Sequence, residues 1–337
     1  MDEDIKLSYA SANVFPAKLL HNEQLLRATK IAHKIPIIHL QLNPTNRCNF
    51  NCPFCSCSAR NRNLELSVRE IEDIMKKAKT CGCQSVTITG GGEPLLHPEI
   101  NEIISEINDL GIEIGIVTNG TPLKLLTDAS LKRIVWIRIS SSDYLQSELK
   151  KIGKNTDKWL NEIADVIKRS GNIDWAFSHV VSERPDFELI RSIVEFANKH
   201  FFTHIRLVND ILLVDHLKDQ IWQVKQYLKE KMVDDTLVNY QDRSEWTKGT
   251  PKCYISILKP VIGADGWIYP CCGNQYSLEN PSRDYEKSMR MGKAKDINKI
   301  WENQSFFDGS KCVKCYYYQY NWALGVLLSN LKHAKFV

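Results

Sequence analysis

Three cysteines, Cys48, Cys52 and Cys55, follow the apolar run Ile37 to Leu42 with the spacing Cys-x3-Cys-x2-Cys. Three thiolates this close can grip one face of an iron–sulfur cube but cannot supply a fourth ligand. An iron with an open position is a place where a small molecule binds and reacts. Clustered cysteines also make zinc sites, disulfides or small buried hydrophobes. Structural zinc takes four ligands, and disulfides need an oxidising compartment.

A second chemical stretch is Thr89-Gly90-Gly91-Gly92-Glu93-Pro94. Glycines at a strand end let backbone approach a ligand or simply form a tight turn. No Lys-Ser/Thr follows, so the stretch is not a P-loop. Val117-Thr118-Asn119-Gly120 and the run from Arg138 to Asp143 also end strand-like segments. Period-two alternation puts Arg138, Ser140 and Ser142 on one face, to bind a ligand or to cap the next helix. On later strands Ser178 or His179, Arg206, and Asn209 or Asp210 are position-based candidates, with Arg206 suited to a carboxylate. A lone histidine on an apolar strand is more often structural. Near the end, Cys253, Cys271, Cys312 and Cys315 give four thiols, enough to saturate one cluster or to hold zinc. Cys272 adjoins Cys271 and could replace it.

The positioning elements are legible from residue 36 onward. Strand candidates are Ile37–Asn43, Ser85–Thr89, Glu113–Thr118, Trp136–Ser141, Trp175–Val181 and His204–Val208, each short and apolar as buried parallel strands are. Helical patterns lie between them. Ser67 to Glu70 resembles a capping box opening a run to Lys79, and Pro98–Leu110 stops at Gly111. Others cover 122–133, 156–170, 186–200 and 216–231. Six β-then-α units imply a parallel sheet with right-handed crossovers, the α/β class. Residues 232–252 read as a linker. Cys253–Val261 and Trp267–Pro270 then flank Gly263-Ala264-Asp265-Gly266, a hairpin signal. A short helix around Ile297–Asn303 follows, and Trp322–Val337 can form an amphipathic helix.

Bulk properties narrow the function class. The 337 residues are 43% hydrophobic and 25% charged, with a net charge of +4. That mild excess suits a phosphate- or carboxylate-bearing substrate but lacks the basic stripe of a dedicated nucleic-acid binder. The N-terminus has no apolar h-region and does not read as a signal peptide, and no stretch of the sequence approaches the 18 uninterrupted apolar residues of a membrane span. Eleven cysteines without an export signal point to metal or redox chemistry in the cytoplasm.

Taken together, the three-cysteine loop after the first strand and the Gly-Gly-Glu-Pro stretch after the second resemble the radical SAM superfamily. The resemblance spans about residues 36–322. It implies a partial (β/α)6 TIM-type barrel with its chemistry at the C-terminal strand ends. It also implies a [4Fe–4S] cluster on Cys48, Cys52 and Cys55 whose open iron is chelated by S-adenosylmethionine. Phe54 would pack on cluster and adenine. Gly91, Gly92, Glu93 and Pro94 would hold the methionine amino group, and Asn119, Ser140 and Ser142 would help bind the cofactor. The last four cysteines resemble the twitch domain, a small α+β unit with a β-hairpin that holds a second, auxiliary [4Fe–4S] cluster. The implied organisation is an N-terminal extension 1–35, core 36–231, linker 232–252, twitch domain 253–322 and C-terminal helix 323–337. The implied activity is hydrogen-atom abstraction from a small polar substrate, most simply for two-electron oxidation. Epimerisation, rearrangement, and a peptide or nucleic-acid substrate stand as alternatives, and a non-catalytic zinc scaffold is the competing class. A flavodoxin or ferredoxin would deliver the electron. Arg206 would meet the substrate, and a spare thiol, Cys57 or Cys272, could return a hydrogen atom or be inert.

Overall fold

Side-chain alternation along the strands decides the architecture. The structure, a computed structural model, describes residues 17–20, 22, 25, 34–55, 57–58, 60–210, 218–241, 247–273, 289–312, 315 and 317–329. Strands β1 (His39–Leu42), β2 (Ser85–Ile88), β3 (Glu113–Thr118), β4 (Ile134–Ser142), β5 (Asp174–Val181), β6 (His204–Asn209) and β7 (Val238–Gln241) pair in sequence order, all parallel. On one face Leu40, Val86, Ile88, Ile114, Ile116, Ile137, Ile139, Phe177 and Ile205 are buried in a single apolar cluster with the helices. The other face is mixed: Gln41, Thr87, Arg138, Ser178 and Arg206 line a cavity together with Trp136, Ala176 and Val208. A parallel sheet with its crossover helices packed on the apolar face, and a cavity on the other that α1 also lines, is a partial barrel with a working interior.

The chain begins this fold with the short α1 (Ala17–Leu20), and the crossover helices then form where amphipathic runs meet good caps. In α2 (Val68–Thr80) the Ser67 hydroxyl accepts from Glu70 N at 3.3 Å and the Glu70 carboxylate accepts from Ser67 N at 2.9 Å. This reciprocal cap satisfies two orphan donors. Then α3 (Ile100–Asp109) stops before Gly111, whose φ is +66°. The expected helix over 122–133 divides into a 3-10 turn, Leu123–Leu125, and α4 (Asp128–Leu131), which Thr127 caps. An unforeseen α5 (Leu145–Lys151) precedes α6 (Thr156–Arg169), α7 (Phe187–Lys199) and α8 (Lys218–Glu230).

Three expectations for the C-terminal third need correction. The stretch 232–252 is not simply a linker, because it contains β7, which extends the sheet beside β6; residues 242–246 lie outside the described residues. Cys253–Val261 is not a strand: Ile255–Leu258 forms α9, and only Val261–Ile262 is extended, as β8. A short, fully buried apolar run does not distinguish helix from strand by periodicity. The helix expected from Trp322 starts earlier, as α11 (Tyr318–Leu328) after α10 (Ile297–Glu302). Apolar side chains surround α11 and Trp322 is exposed, so it is not amphipathic; residues 330–337 lie outside the described residues.

The hairpin is present, and it belongs to the same sheet as the barrel. Strand β8 runs parallel to β1, β9 (Trp267–Tyr269) pairs antiparallel with β8, and β10 (Gly292–Lys293) closes the edge. Ile38, Gln41 and Asn43 donate backbone bonds of 2.9–3.1 Å to Leu258, Pro260 and Ile262. No helix among the described residues is long and apolar enough to cross a membrane.

Trp159 of α6 ties this scaffold to the strand ends. It is fully buried, and its indole donates to Asn119 O at 3.0 Å. Replacing Trp159 by Phe removes that bond and leaves a void, so the unfolding free energy should fall by about 2–3 kcal/mol in urea titrations. An unchanged midpoint would show that the indole does not brace the β3 end.

Candidate functional site

The loop after β1 carries Cys48, Cys52 and Cys55, all half-buried. Neighbouring elements clamp it on several sides. Arg60 donates to Asn46 O at 3.0 Å and to Cys57 O, and stands 3.6 Å from Cys55 Sγ. Arg62 donates to Cys48 O at 3.2 Å and Phe50 O at 3.4 Å. From the far side, the buried Glu148 of α5 accepts from Asn51 N at 2.7 Å, and Asn119 donates to Asn49 Oδ1 at 2.9 Å. Burial, with the nearby Cys55 and Glu148 charges, pushes Cys52 up to about 12, and burial also raises Cys48. Cys55 goes the other way: the Cys57 thiol donates to it, and Arg60 adds to the effect against burial. A bound cation would reverse the burial penalty on all three.

All eleven cysteines are free thiols, which removes the disulfide reading. Among the described residues no three thiols, imidazoles or carboxylates converge closely enough for one metal ion. A four-iron cube takes one thiolate per iron, so the three thiols of this loop could hold three irons of a cube and leave the fourth open.

The Gly90–Pro94 loop packs directly on this one. A Cβ on Gly92 would stand 2.0 Å from Arg47 O, and Glu93 N donates to Arg47 O at 2.7 Å. The glycine is therefore required for loop-on-loop contact as well as any ligand approach. Gly91 is buried, and Pro94 opens a 3-10 turn, Pro94–Leu96, that Glu93 caps. Glu93 is 2% exposed and accepts from Thr118 Oγ1 at 2.7 Å, Leu95 N at 3.1 Å and Asn119 N at 2.6 Å. Burial outweighs those bonds and raises it to about 7. A buried carboxylate held this way suits an incoming ammonium group.

The other expected cofactor residues sit at neighbouring strand ends. Phe54 stacks on Tyr144, ring centroids 6.2 Å apart; sequence reasoning missed Tyr144. Ser142 is buried and accepts from Tyr144 N at 3.3 Å, while Ser140 is half-buried. His179 has a structural role: it bonds Ser141 Oγ at 3.0 Å and Asp143 Oδ1 at 2.9 Å and is fully buried. Burial opposes ionisation of Asp143, but His179 and the Ser182 and Asp186 amides hold it below the ordinary carboxylate value.

The inner face of the sheet lines a cavity of about 690 Å3. It reaches Thr89 and Val117, next to the glycine loop and Asn119, and is lined by Ser178, Arg206 and Cys272. The Arg206 guanidinium donates to Gln241 Oε1 at 3.0 Å. Cys272 stands 3.4 Å from the Tyr317 hydroxyl. Cys57 does not line the cavity; it packs on Val261 and Tyr269. Asn209 and Asp210 are buried at the end of β6.

Cys253, Cys271, Cys312 and Cys315 gather in one apolar cluster. Two backbone bridges, Cys253 with Phe307 and Thr247 with Cys315, bring their segments side by side. A Cβ on Gly309 would meet Thr250 O at 2.4 Å, so glycine permits that crossing. Asn321 of α11, unforeseen, is buried and donates to Cys253 Sγ at 3.8 Å. Burial pushes Cys253 up to about 11, with Cys315 and Cys312 adding to it. Cys271 shares this field, whereas Cys272 faces the cavity. Four thiols with a second layer of hydrogen bonding fit a saturated cluster.

Residues 42–196 match the sequence model of the radical SAM superfamily. The chain is similar to a GTP 3',8-cyclase of Staphylococcus carnosus, 30% identical over 241 residues, covering 66% of this chain and 67% of that protein. It is 37% identical over 108 residues to a probable GTP 3',8-cyclase of Methanothermobacter marburgensis, covering 30% of this chain and 35% of the relative. The chain thus spans about a third of the length of the first curated relatives it matches. Its fold is similar to Streptococcus suis SuiB bound to the precursor peptide SuiA, with a TM-score of 0.59 at 18% identity over 89% of this chain and 72% of that one. It is also similar to native anSMEcpe with bound AdoMet and Cp18Cys peptide, with a TM-score of 0.53 at 16% identity over 84% and 87%.

Glu93 gives a pH test in the cofactor-free protein. Its value is raised from 4.5 to about 7, so its contribution is fully present below pH 4.5 and is lost as pH rises through 7. Unfolding free energy should fall by about 3 kcal/mol between these limits from this group, and Glu93→Gln should flatten the slope in denaturant titrations. An identical slope in both proteins would remove Glu93 as the source.

Proposed function

Because the chain belongs to the radical SAM superfamily, we propose that it cleaves S-adenosylmethionine reductively and abstracts a hydrogen atom from a polar small molecule in the inner cavity. The observation that carries this reading is the packing of the three-thiol loop against the Glu93 loop at the C-terminal ends of β1 and β2. Bound there, a four-iron cluster and S-adenosylmethionine would supply a 5′-deoxyadenosyl radical. Cys48, Cys52 and Cys55 would hold the cluster. Glu93, with the backbone of Gly91 and Gly92, would take the methionine ammonium, and Asn119, Ser140 and Ser142 would bind its other polar groups. Phe54, stacked on Tyr144, would cover the adenine side.

Cys253, Cys271, Cys312 and Cys315 would hold the auxiliary cluster of a twitch-type domain. A saturated cluster so close to the cavity-lining Cys272 favours two-electron oxidation of the substrate. The similarity to proteins named GTP 3',8-cyclase favours a second reading, in which a nucleotide substrate rearranges instead. The free thiols suit a reducing cytoplasm, with a flavodoxin or ferredoxin as electron donor.

Anaerobic reconstitution with iron and sulfide tests the reading. We expect about eight irons per chain, and 5′-deoxyadenosine on dithionite reduction with S-adenosylmethionine. Cys52→Ala should abolish deoxyadenosine formation. Cys312→Ala should keep it, with about four irons fewer. An iron-free, zinc-bound protein that leaves S-adenosylmethionine intact would sink the proposal in favour of a metal scaffold.

A further inference from the structure

We propose that the inner cavity is a polyanion site, built for a substrate with two or more phosphate or carboxylate groups, and that the N-terminal segment completes it with Lys18. The proposal rests on reading the cavity as the substrate site. Four cations line it: Lys18 from α1, Arg138 from β4, Arg206 from β6 and Lys259 just after α9. His39 and His204 stand among them. The carboxylates on the lining, Glu113 and Asp174, are exposed and occupy the first positions of β3 and β5.

These groups share one electrostatic field. Burial lowers Lys259, and Arg138 and Lys18 lower it further, against the pull of Cys272 and Cys271. Burial takes His204 down to about 4, with Arg138, Arg206 and Lys18 adding to it. Burial also lowers the half-buried His39, with Lys259 and Lys18 adding to it. Like charges gathered from four elements repel one another and oppose folding. An anion in their midst turns each repulsion into a shared attraction. The arginines offer forked donors and the lysines point charges, the mixture that grips phosphate and carboxylate oxygens.

The volume and the anchoring agree. A cavity of about 690 Å3 falls within the usual range for small-molecule sites, roughly 300–1,000 Å3. Leu19 and Leu25 are buried in the apolar cluster with Ile255, Leu258, Tyr320 and Leu324. The segment bearing Lys18 is thereby fastened to the unit that bears Lys259. Lys18, Leu19, Asn22 and Leu25, within the expected N-terminal extension, form part of the site's wall.

The test is calorimetric titration of the full-length, cluster-reconstituted protein without S-adenosylmethionine, using tripolyphosphate, inorganic phosphate, citrate and myo-inositol. Because no cleavage is read, its failure is separate from failure of the radical reading. Tripolyphosphate or citrate should bind more tightly than phosphate, and less so as salt rises. Preference for tripolyphosphate identifies a phosphorylated substrate and preference for citrate a polycarboxylate; both uphold the site. Lys259→Met and Lys18→Met should each weaken binding by about tenfold or more, while Lys124→Met, on the exposed surface, should leave it unchanged. If Lys259→Met does not fold, Lys18→Met and Arg138→Gln carry the comparison. Binding of neither polyanion, equal binding of myo-inositol, or full affinity in the cavity variants would overturn the proposal.

Discussion

The fold depends on the two-residue period of the extended chain. Each strand from β1 to β6 sends one set of side chains outward into the helices and the other inward. Outward positions such as Ile88, Ile116, Ile139 and Ile205 are fully buried, and each contributes on the order of 1.5–3 kcal/mol. Stability is concentrated on that side. Several inward positions are released from packing duty and carry Gln41, Thr87, Arg138, Ser178 and Arg206.

The strand ends are organised by buried polar bonds instead. Glu93 gathers Thr118, Leu95 and Asn119; Asn119 reaches Asn49; Glu148 holds Asn51. Such a network is costly when partly satisfied and rigid when complete. The loop bearing Cys48, Cys52 and Cys55 is consequently fixed from β3, α5 and the Gly92 loop together, before any ligand arrives.

Much of this was legible in the sequence. The six strands fall within two residues of their expected bounds because each is a dense apolar run between turn residues. The thiol loop and Glu93 loop were visible because their spacing is local. What was missed depends on contacts distant in sequence. Strand β7, Val-Asn-Tyr-Gln, has no apolar run and is recruited by the exposed edge of β6. Ile255–Leu258 could be helix or strand until its neighbours closed around it. Tyr144, Asn321 and Gly309 are ordinary residues whose roles arise only where Phe54, Cys253 and Thr250 meet them. Lys18, in a stretch read merely as an extension, needed the folded cavity to show its charge in place.

One backbone ladder joins the two thiol groups. β1, which feeds the loop of Cys48, bonds on its open side to β8, which feeds the hairpin leading to Cys271. The ladder is continuous between the strands that lead to the two loops, so strand pairing sets the spacing of the points from which those loops depart. Whatever groups those thiols hold, the distance between them is then governed by the sheet more than by the loops. The loops around the cavity could change in length or sequence while that spacing stays the same.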